Sequence, residues 1–326
     1  MNRVFFIVGP TAAGKSELAA DVARRLGAEI VGADAFQIYR GLDLLTAKPD
    51  QATLAKAPHH LIGAVPLSEE MNAEKYRAAA ERIIADIQSR GKPAIVVGGS
   101  GLYVKALTHG LAELPEANRK LRETLEHATA QELFRSLSAL DSVGAEQIDR
   151  HNKRRLVRAV EVCLLTGKPF SAQRTDWKQP AGVAAAVAGG RTQNVATPHP
   201  LPPVTAAATT GILVYRDRAE LYAGINHRVD EMFEGAVIEE VRAIEKVGPT
   251  ADNTLGLREI RALLAGEISQ PECIGKIQQA TRRYAKRQLT WFQRQTNFEP
   301  LNLSSHGFPE AIELIAQNAA RVFAHG

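Results

Sequence analysis

Residues 4–16 read VFFIVGPTAAGKS, and this stretch decides the fold. The five apolar residues at 4–8 predict a strand that is buried on both faces, as in a parallel sheet covered by helices. The segment 9–16 matches the pattern G-x-x-x-x-G-K-[ST], whose glycines let backbone N–H groups turn inward around phosphate oxygens. An amphipathic helix is expected from about Lys15, with its positive N-terminal end at this loop.

The residues of this phosphate loop have separate expected tasks. Lys15 supplies a full positive charge, and Ser16 offers a hydroxyl ligand for Mg²⁺. The pattern predicts a phosphorylated ligand without identifying it, and the alternative is a structural glycine turn. The expected phosphate-binding set is Gly9, Pro10, Thr11, Ala12, Ala13, Gly14, Lys15 and Ser16.

The next hundred residues alternate strands with helices. Segment 29–31 is predicted to be a short strand and 94–97 a buried one, and 74–90 has the pattern of a helix. This alternation predicts an α/β fold with a P-loop NTPase-like parallel sheet, in which ligands gather at the carboxyl ends of the strands.

The periodicity changes twice further along the chain. Residues 114–178 have only helical periodicity, which predicts a helical subdomain inserted into the sheet domain. Residues 179–210 are rich in Ala, Thr and Pro, with one charged residue, and predict a low-complexity linker. The catalytic core is therefore expected to comprise 1–113 and 211–326, with a helical C-terminal part after a strand at 212–215.

Composition excludes several classes of protein. The 326 residues are 45% hydrophobic and 23% charged, which is incompatible with disorder throughout or with a fibrous rod. Two cysteines, Cys163 and Cys273, are too few for a disulfide framework or a zinc site, so we expect both to be buried in a cytoplasmic protein. No apolar run approaches 18 residues, so we expect no membrane span.

Polar residues follow the predicted strands. Asp34 comes after the second strand, where a carboxylate beside a phosphate cradle can act as a general base or metal ligand; a solvated or capping Asp is the alternative. The strand 94–97 is followed by a glycine-rich turn around Ser100, although hydrolytic P-loop enzymes usually carry Asp there. This disfavours an ATPase but leaves a small-molecule kinase open. His59 and His60 lack nearby metal ligands and are read as ordinary loop histidines.

The basic residues are concentrated in two places, although the net charge is only +4. Either cluster alone is equally compatible with a solvated helix face. Together with a phosphate loop they favour RNA, because aromatic residues interleave with the second cluster. The first cluster is Arg150, Lys153, Arg154, Arg155 and Arg158; the second, which contains no acid, is Lys276, Arg282, Arg283, Lys286, Arg287 and Arg294.

The motifs together resemble the tRNA dimethylallyltransferases, in the order of that family, across about residues 4–300. They are the phosphate loop 9–16, the segments 34–43 (DAFQIYRGLD), 46–49 (TAKP), 58–61 (PHHL), 98–103 (GGSGLY) and 105–107, the residues Arg154, Arg155, Arg158, Ala159, Glu161 and Val162, and then 225–226, 228–230, Gly256, 281–282 and 284–292.

The resemblance implies transfer of a dimethylallyl group from dimethylallyl diphosphate to the exocyclic amine of the adenosine just 3′ of the tRNA anticodon. It implies Mg²⁺ as cofactor and the tRNA anticodon stem-loop as partner, and we expect a monomer. By the same match Asp34 is the catalytic base and Lys15 meets the charge of the leaving diphosphate. Ser100 stands where the family usually has Thr and would hold Asp34 or the base.

The resemblance also implies a set of residues that face tRNA; from the basic band we add Arg282, Arg283, Lys286 and Arg287. The implied set is Asp34, Ala35, Phe36, Gln37, Ser100, Arg122, Arg154, Arg155, Leu156, Val157, Arg158, Asn253, Thr254, Leu255, Gly256, Leu257 and Arg258.

Four positions depart from the family pattern. Ala35 stands where Ser usually follows the Asp, Leu45 replaces a Gly, and Gly63 replaces an acid. Gly224 stands where an Arg is expected, which removes a charge near the diphosphate. None of these changes removes Lys15.

Three alternatives to tRNA prenyl transfer remain at this point. An isopentenyltransferase acting on free adenine nucleotides would not need the basic, aromatic band. A small-molecule P-loop kinase would require ATP turnover. A tRNA-binding paralogue with weakened catalysis would keep the basic surfaces and lose activity.

Overall fold

The computed structural model describes residues 4–112, 114–173, 210–295 and 297–325. The chain divides into two compact units, Met1–His109 with Ala181–Gly326, and Gly110–Pro180. The linker predicted at 179–210 lies outside the described residues, except for Thr210, which begins a strand.

The first unit is built on a parallel sheet of six strands in the order β3-β2-β4-β1-β5-β6. The central strand β1 pairs with β4 and β5, with Val4 opposite Ala94 and Phe5 opposite Thr210. This architecture confirms the predicted α/β fold. The strands are β1 Val4–Val8, β2 Glu29–Gly32, β3 His59–His60, β4 Ala94–Gly98, β5 Thr210–Tyr215 and β6 Phe298–Asn302.

Sequence patterns did not reveal the two edge strands. β3 is only two residues long and consists of His59 and His60, for which the sequence predicts a loop. β6 contains Glu299 and Pro300, both exposed. Such sequences are tolerated at a sheet edge, where one side of the strand makes no ladder hydrogen bonds. They therefore lack the continuous apolar run that marks β1 and β4.

Helices cover both faces of the sheet. On one face, α1 and α13 contribute buried Leu18, Val22 and Ile315. On the other, α3 and α4 contribute Tyr76 and Tyr103, whose rings stack 4.0 Å apart. The helices of this unit are α1 Lys15–Leu26, α2 Gln51–Leu54, α3 Ala73–Ser89, α4 Gly101–His109, α9 Arg218–Glu234, α10 Val237–Arg242, α11 Leu257–Leu264, α12 Gln270–Phe292 and α13 Phe308–His325.

Helix α12 joins two parts of the core. Its N-cap is Ser269, whose side chain accepts a hydrogen bond from the Glu272 N–H. Near its start, Cys273 packs in a separate cluster with residues of α9, α10 and α11. At its end, Phe292 packs beneath the sheet. The middle of α12 therefore lies beside the strand ends.

The second unit is helical. Its helices α6 and α8 pack Leu137 against Val160, and Thr129 starts α6 with a capping box. Cys163 and Cys273 are free and buried, as predicted. The helices of this unit are α5 Arg119–His127, α6 Ala130–Leu140, α7 Ser142–Gln147 and α8 Lys153–Thr166. Across both units, no helix within the described residues is long and apolar enough to span a membrane.

Candidate functional site

The phosphate loop connects β1 to α1. Gly9 has φ +152°, and a Cβ there would collide with the carbonyl of Val214 in the neighbouring strand. Gly14, at φ 89°, is the left-handed residue that starts α1. The loop therefore has the strand–turn–helix context that the sequence pattern requires.

Lys15 lies in a half-buried position at the start of α1, where its Nζ donates a hydrogen bond to the Pro10 carbonyl at 2.6 Å. Burial lowers the pKa of Lys15 to about 8; the nearby Asp34 carboxylate opposes this shift, and the Arg228 cation adds to it. Lys15 is thus the centre of a small charged cluster.

Asp34 and Ser100 are brought together by the ends of β2 and β4. The Ala33 N–H donates to the Val97 carbonyl at 2.7 Å, and the Ser100 N–H donates to the Ala33 carbonyl at 3.1 Å. Gly98 allows this approach, because a Cβ there would collide with the Ala33 backbone. The two residues following these strands are consequently held side by side.

The Asp34 carboxylate is fixed by the turn that it begins. Its Oδ1 accepts hydrogen bonds from the N–H groups of Phe36 at 2.9 Å and Gln37 at 3.3 Å. The N–H of Ala35, the residue directly after Asp34, donates to Ser100 Oγ at 2.8 Å. Ser100 therefore supports Asp34 through the backbone. Since both turn hydrogen bonds use Oδ1, the other oxygen of Asp34 remains for a ligand.

A cleft of about 610 Å³, including its open mouth, lies beside these groups. Its lining includes Thr11 and Ala12 of the phosphate loop and Asp34. Its apolar wall is made by side chains from the loop after β2, from α9 and from α12. The apolar lining residues include Leu45, Ile225, Val229, Met232 and Ile277. The cleft therefore combines part of the phosphate loop, a carboxylate and a hydrocarbon surface.

Two residues at this cleft were not among the predicted site residues. Arg228, on α9, donates from Nη1 to Thr11 Oγ1 at 3.3 Å and lines the cleft. Tyr284, on α12, lines it as well, with its ring centroid 6.0 Å from that of Phe36. Both belong to motifs of the family resemblance, and Tyr284 is also one of the aromatic residues interleaved with the second basic cluster.

Gln288 is a third such residue. It is 5% exposed and lies on α12. Its Oε1 accepts the Thr11 N–H at 2.9 Å, and its Nε2 donates to the Gly99 carbonyl at 2.9 Å. One side-chain amide thus connects the phosphate loop with the turn that carries Ser100.

Several residues predicted to face tRNA do line the cleft: Phe36, Gln37, Thr254 and Leu255. Asn253 and Arg258 are exposed. Leu257 is fully buried in the cluster beneath α11, so its side chain is unavailable to a ligand. Gly256 is a left-handed helix start whose missing Cβ leaves room for Leu45.

The basic band on α12 is partly committed to protein contacts. Arg282 donates to Asn226 Oδ1 at 2.5 Å, and Lys276 pairs with Glu272 at 2.8 Å. Arg283, Lys286 and Arg287 are exposed. Lys276 is exposed as well but pairs with Glu272, so these three are the exposed cations of the helix for which the described residues show no salt bridge.

In the second unit, Arg122 and Arg158 both bind the carboxylate of Glu161, which is fully buried. Leu156 and Val157 belong to the core of this unit, so the prediction that they face tRNA does not extend to their side chains. Arg150, Lys153, Arg154 and Arg155 are exposed, and Lys153 donates to the Glu126 carbonyl at 2.6 Å. Of the cations predicted to face tRNA in this unit, Arg154 and Arg155 are the exposed ones.

No group of three or more His, Cys, Asp or Glu side chains suited to a metal ion occurs in the described part of the chain. His60 Nε2 instead contacts Glu29 Oε2 at 2.8 Å, and His59 Nδ1 contacts the Ala57 carbonyl at 2.7 Å. A Mg²⁺ ion that relies on phosphate oxygens and water for most of its ligands needs no such group. The Ser16 hydroxyl next to Lys15 fits that requirement.

The four departures from the family pattern have different structural settings. Ala35 contributes its backbone N–H, which any residue supplies. Leu45 adds an apolar side chain to the cleft. At Gly63 a Cβ would lie 3.6 Å from Lys48 Nζ, and Lys48 pairs with Asp43 instead.

Gly224 lies on α9 close to the phosphate loop. A Cβ at this position would be 4.0 Å from the Ala12 carbonyl, so a longer side chain could reach the loop. Arg228 follows one helical turn later and already supplies a cation to Thr11. The loop therefore retains a positive charge from α9.

A phosphate loop and the Asp34 carboxylate lie where the parallel strands end. This arrangement defines a P-loop-like α/β enzyme. The model of the family "IPP transferase" matches residues 37–295, and the chain belongs to this family. It is 38% identical to a tRNA dimethylallyltransferase of Akkermansia muciniphila, over 94% of this chain and 96% of that protein. It is 41% identical to one of Caulobacter sp., over 90% and 91%.

Solved structures of tRNA-modifying transferases are also similar to this chain. The tRNA isopentenylpyrophosphate transferase of Bacillus halodurans matches with a TM-score of 0.67 at 30% identity, covering 100% of this chain and 98% of that one. A eukaryotic dimethylallyltransferase acting on tRNA matches with a TM-score of 0.72, over 98% of this chain and 77% of that one. At 22% identity the second likeness concerns the fold alone.

Proposed function

We propose that this protein transfers a dimethylallyl group from dimethylallyl diphosphate to the exocyclic N6 of the adenosine 3′-adjacent to the tRNA anticodon. The observation that carries the proposal is the cleft in which a phosphate loop, a fixed carboxylate and an apolar wall meet. Curated relatives of nearly the same length are named tRNA dimethylallyltransferases, which supports tRNA as the acceptor.

The diphosphate binds at the phosphate loop in this proposal. Loop N–H groups, the Lys15 ammonium and the Arg228 guanidinium lie where negative charge grows as the bond between C1 and the diphosphate oxygen breaks. Bound Mg²⁺, with Ser16 as its protein ligand, would neutralise part of the same charge.

Asp34 acts as the base. The adenine N6 is a poor nucleophile because its lone pair is delocalised into the ring. N6 forms the new bond to C1, its proton passes to the Asp34 carboxylate, and diphosphate leaves with the electrons of the broken C–O bond. The turn hydrogen bonds to Oδ1 keep the carboxylate in place during this step.

The apolar wall holds the isoprenoid and excludes water. Ile225, Val229 and Ile277 present hydrocarbon surface to the cleft. An allylic carbon that develops positive charge reacts with water when it is accessible, so a dry surface favours transfer to N6.

The target base has to leave the anticodon-loop stack to reach this cleft, as other base-modifying enzymes require. We assign phosphate contacts to the exposed side chains Arg283, Lys286 and Arg287 of one unit and to Arg154 and Arg155 of the other. A cytoplasmic monomer would meet its tRNA substrate with these surfaces.

The alternatives are less well supported. Free adenine nucleotides do not need the exposed cations of α12, and the named relatives act on tRNA. A small-molecule kinase would not require the apolar wall of the cleft. A catalytically weakened paralogue is disfavoured because Lys15, Ser16 and Asp34 are all present.

The test is incubation with unmodified tRNA, dimethylallyl diphosphate and Mg²⁺, followed by nucleoside mass spectrometry. We expect one prenylated adenosine per tRNA with the wild-type protein. Asp34→Asn should lower the rate by about 10²–10⁴-fold while tRNA affinity is retained, because only the base is lost. Phosphorylation of a small acceptor by ATP without prenylated adenosine would contradict the proposal.

A further inference from the structure

The amide of Gln288 links two parts of the cleft that are distant in sequence. Thr11, which donates to Gln288 Oε1, is 277 residues away, and Gly99, which accepts from Nε2, is 189 residues away. Both hydrogen bonds are 2.9 Å long, and the side chain is 5% exposed. The donor and the acceptor of this amide are therefore both used, and the bond to Gly99 is buried.

Building on the proposed function, we propose that Gln288 is a positioning residue that sets the separation between the phosphate loop and the Asp34 carboxylate. One end of its amide holds the loop at Thr11. The other end holds Gly99, next to Ser100, whose hydroxyl accepts the N–H of the residue after Asp34. The chain of hydrogen bonds runs from the group that binds diphosphate to the group that takes the proton.

The surrounding packing supports this role. A Cβ at Gly99 would collide with Gln288 Nε2, so the turn approaches the amide as closely as backbone allows. The opposite side of Thr11 is held by Arg228 through the hydroxyl. Thr11 is consequently fixed from both α9 and α12, and the amide has little freedom to shift.

An amide suits this position better than other side chains. The Thr11 N–H needs an acceptor, and the Gly99 carbonyl needs a donor. A carboxylate offers only acceptors, and a hydrocarbon side chain offers neither backbone group a partner. The loop and the turn would then relax apart, and a shift of about 1 Å at a reacting centre costs about 10²-fold in rate.

The test compares Gln288→Leu with Gln278→Leu in the full-length protein. Gln278 lies on the same helix, and its Nε2 donates to Asp230 Oδ1 at 3.0 Å, so this control removes an amide contact between helices away from the loop. We expect Gln288→Leu to lower kcat about 100-fold with KM for tRNA nearly unchanged, and Gln278→Leu to stay close to wild type. Thermal unfolding of both variants reports whether they fold.

Calorimetry with inorganic diphosphate tests the role of Gln288 independently of the proposed function. If the wild-type protein binds diphosphate but transfers nothing to tRNA, the proposed function is contradicted. Weaker diphosphate binding by Gln288→Leu then still supports a role of Gln288 at the loop. A folded Gln288→Leu variant with wild-type kcat and wild-type diphosphate affinity overturns the positioning role.

Gln288→Glu keeps the protein folded by conserving shape and gives a pH signature. The introduced carboxyl can donate to the Gly99 carbonyl only when protonated, and burial raises its pKa. Its titratable neighbour Tyr284 stays protonated because burial raises its pKa above the usual range. The other charged groups at the loop, Lys15, Asp34 and Arg228, are present in both proteins. The rate of the variant relative to wild type should therefore rise as pH falls. A ratio independent of pH would count against the amide's donor role.

Discussion

At the scale of single residues, the charge of Lys15 is the most sensitive property of the cleft. Its ammonium sits among the Pro10 carbonyl, the Asp34 carboxylate and the Arg228 guanidinium. Burial outweighs the attraction of Asp34 and brings the pKa of Lys15 from 10.5 to about 8. A lysine with this pKa loses its proton within a range of pH where the protein can be studied.

Diphosphate affinity should therefore fall as pH rises through 8, because Lys15 is charged below that pH and neutral above it. Calorimetric titration with inorganic diphosphate, from about pH 7 to pH 9.5, measures this effect. Free diphosphate itself gains charge in the same range. This change in the ligand affects both proteins, so it cancels in the ratio of wild-type affinity to Lys15→Met affinity. We expect this ratio to fall as pH rises. A constant ratio would exclude Lys15 as the titrating group.

At the scale of elements, one buried carboxylate joins β2, β3 and the end of α3. Glu29 Oε2 accepts from Arg90 Nη2 at 2.9 Å and contacts His60 Nε2 at 2.8 Å, and Lys92 lies 3.1 Å from Oε1. The hydrogen bonds from Arg90 contribute most to lowering the pKa of Glu29, from 4.5 to about 2. The short edge strand β3 is held partly by this cluster.

Because the pKa of Glu29 is lowered on folding, its stabilisation is present above pH 4.5 and is lost as pH falls toward 2. Glu29→Gln should lower the free energy of unfolding by about 2 kcal/mol at neutral pH and weaken its dependence on pH below 4.5. Urea denaturation at several pH values measures both. Asp86→Asn removes an exposed partner of Arg90 and should cost less than about 0.5 kcal/mol. Equal losses in the two variants would contradict this assignment.

At the scale of the whole molecule, the placement of charge matters more than its total. The net charge is only +4, yet four cations of α12, Lys276, Arg283, Lys286 and Arg287, are exposed, and no acid occurs between Cys273 and Phe298. Four cations of the second unit are predicted to face tRNA; Arg122 and Arg158 are bound to Glu161, and Arg154 and Arg155 are exposed. Cations that already have a carboxylate partner contribute less to binding RNA phosphates.

The logarithm of tRNA affinity should fall linearly with the logarithm of salt concentration, because phosphate contacts release counterions. Each of Arg283→Gln, Lys286→Gln and Arg287→Gln should reduce the slope by about 0.7–1. Arg24→Gln, at an exposed arginine on α1 paired with Asp21, should leave the slope unchanged. Fluorescence anisotropy across a salt series measures the slope. If all four variants have the wild-type slope, α12 does not contact the phosphates.

The cleft illustrates how much of a site local sequence patterns reveal. The phosphate loop could be predicted because its backbone geometry needs glycines at fixed spacing. Asp34 could be placed near it because parallel strands end at one edge of a sheet. Arg228 and Gln288 could not be placed there from periodicity, since their contacts to Thr11 span 217 and 277 residues.

The parallel α/β core, the phosphate loop and, through the family resemblance, the role expected of Asp34 could all be inferred from the sequence. The core and the loop depend on local backbone requirements and hydrophobic periodicity, which a sequence displays directly. Which cations remain exposed, the burial of Leu156 and Leu257, and the link that Gln288 makes between the loop and the catalytic turn became known from the fold. Burial and hydrogen bonding between distant segments depend on how elements pack, and packing has no signature within a short stretch of sequence.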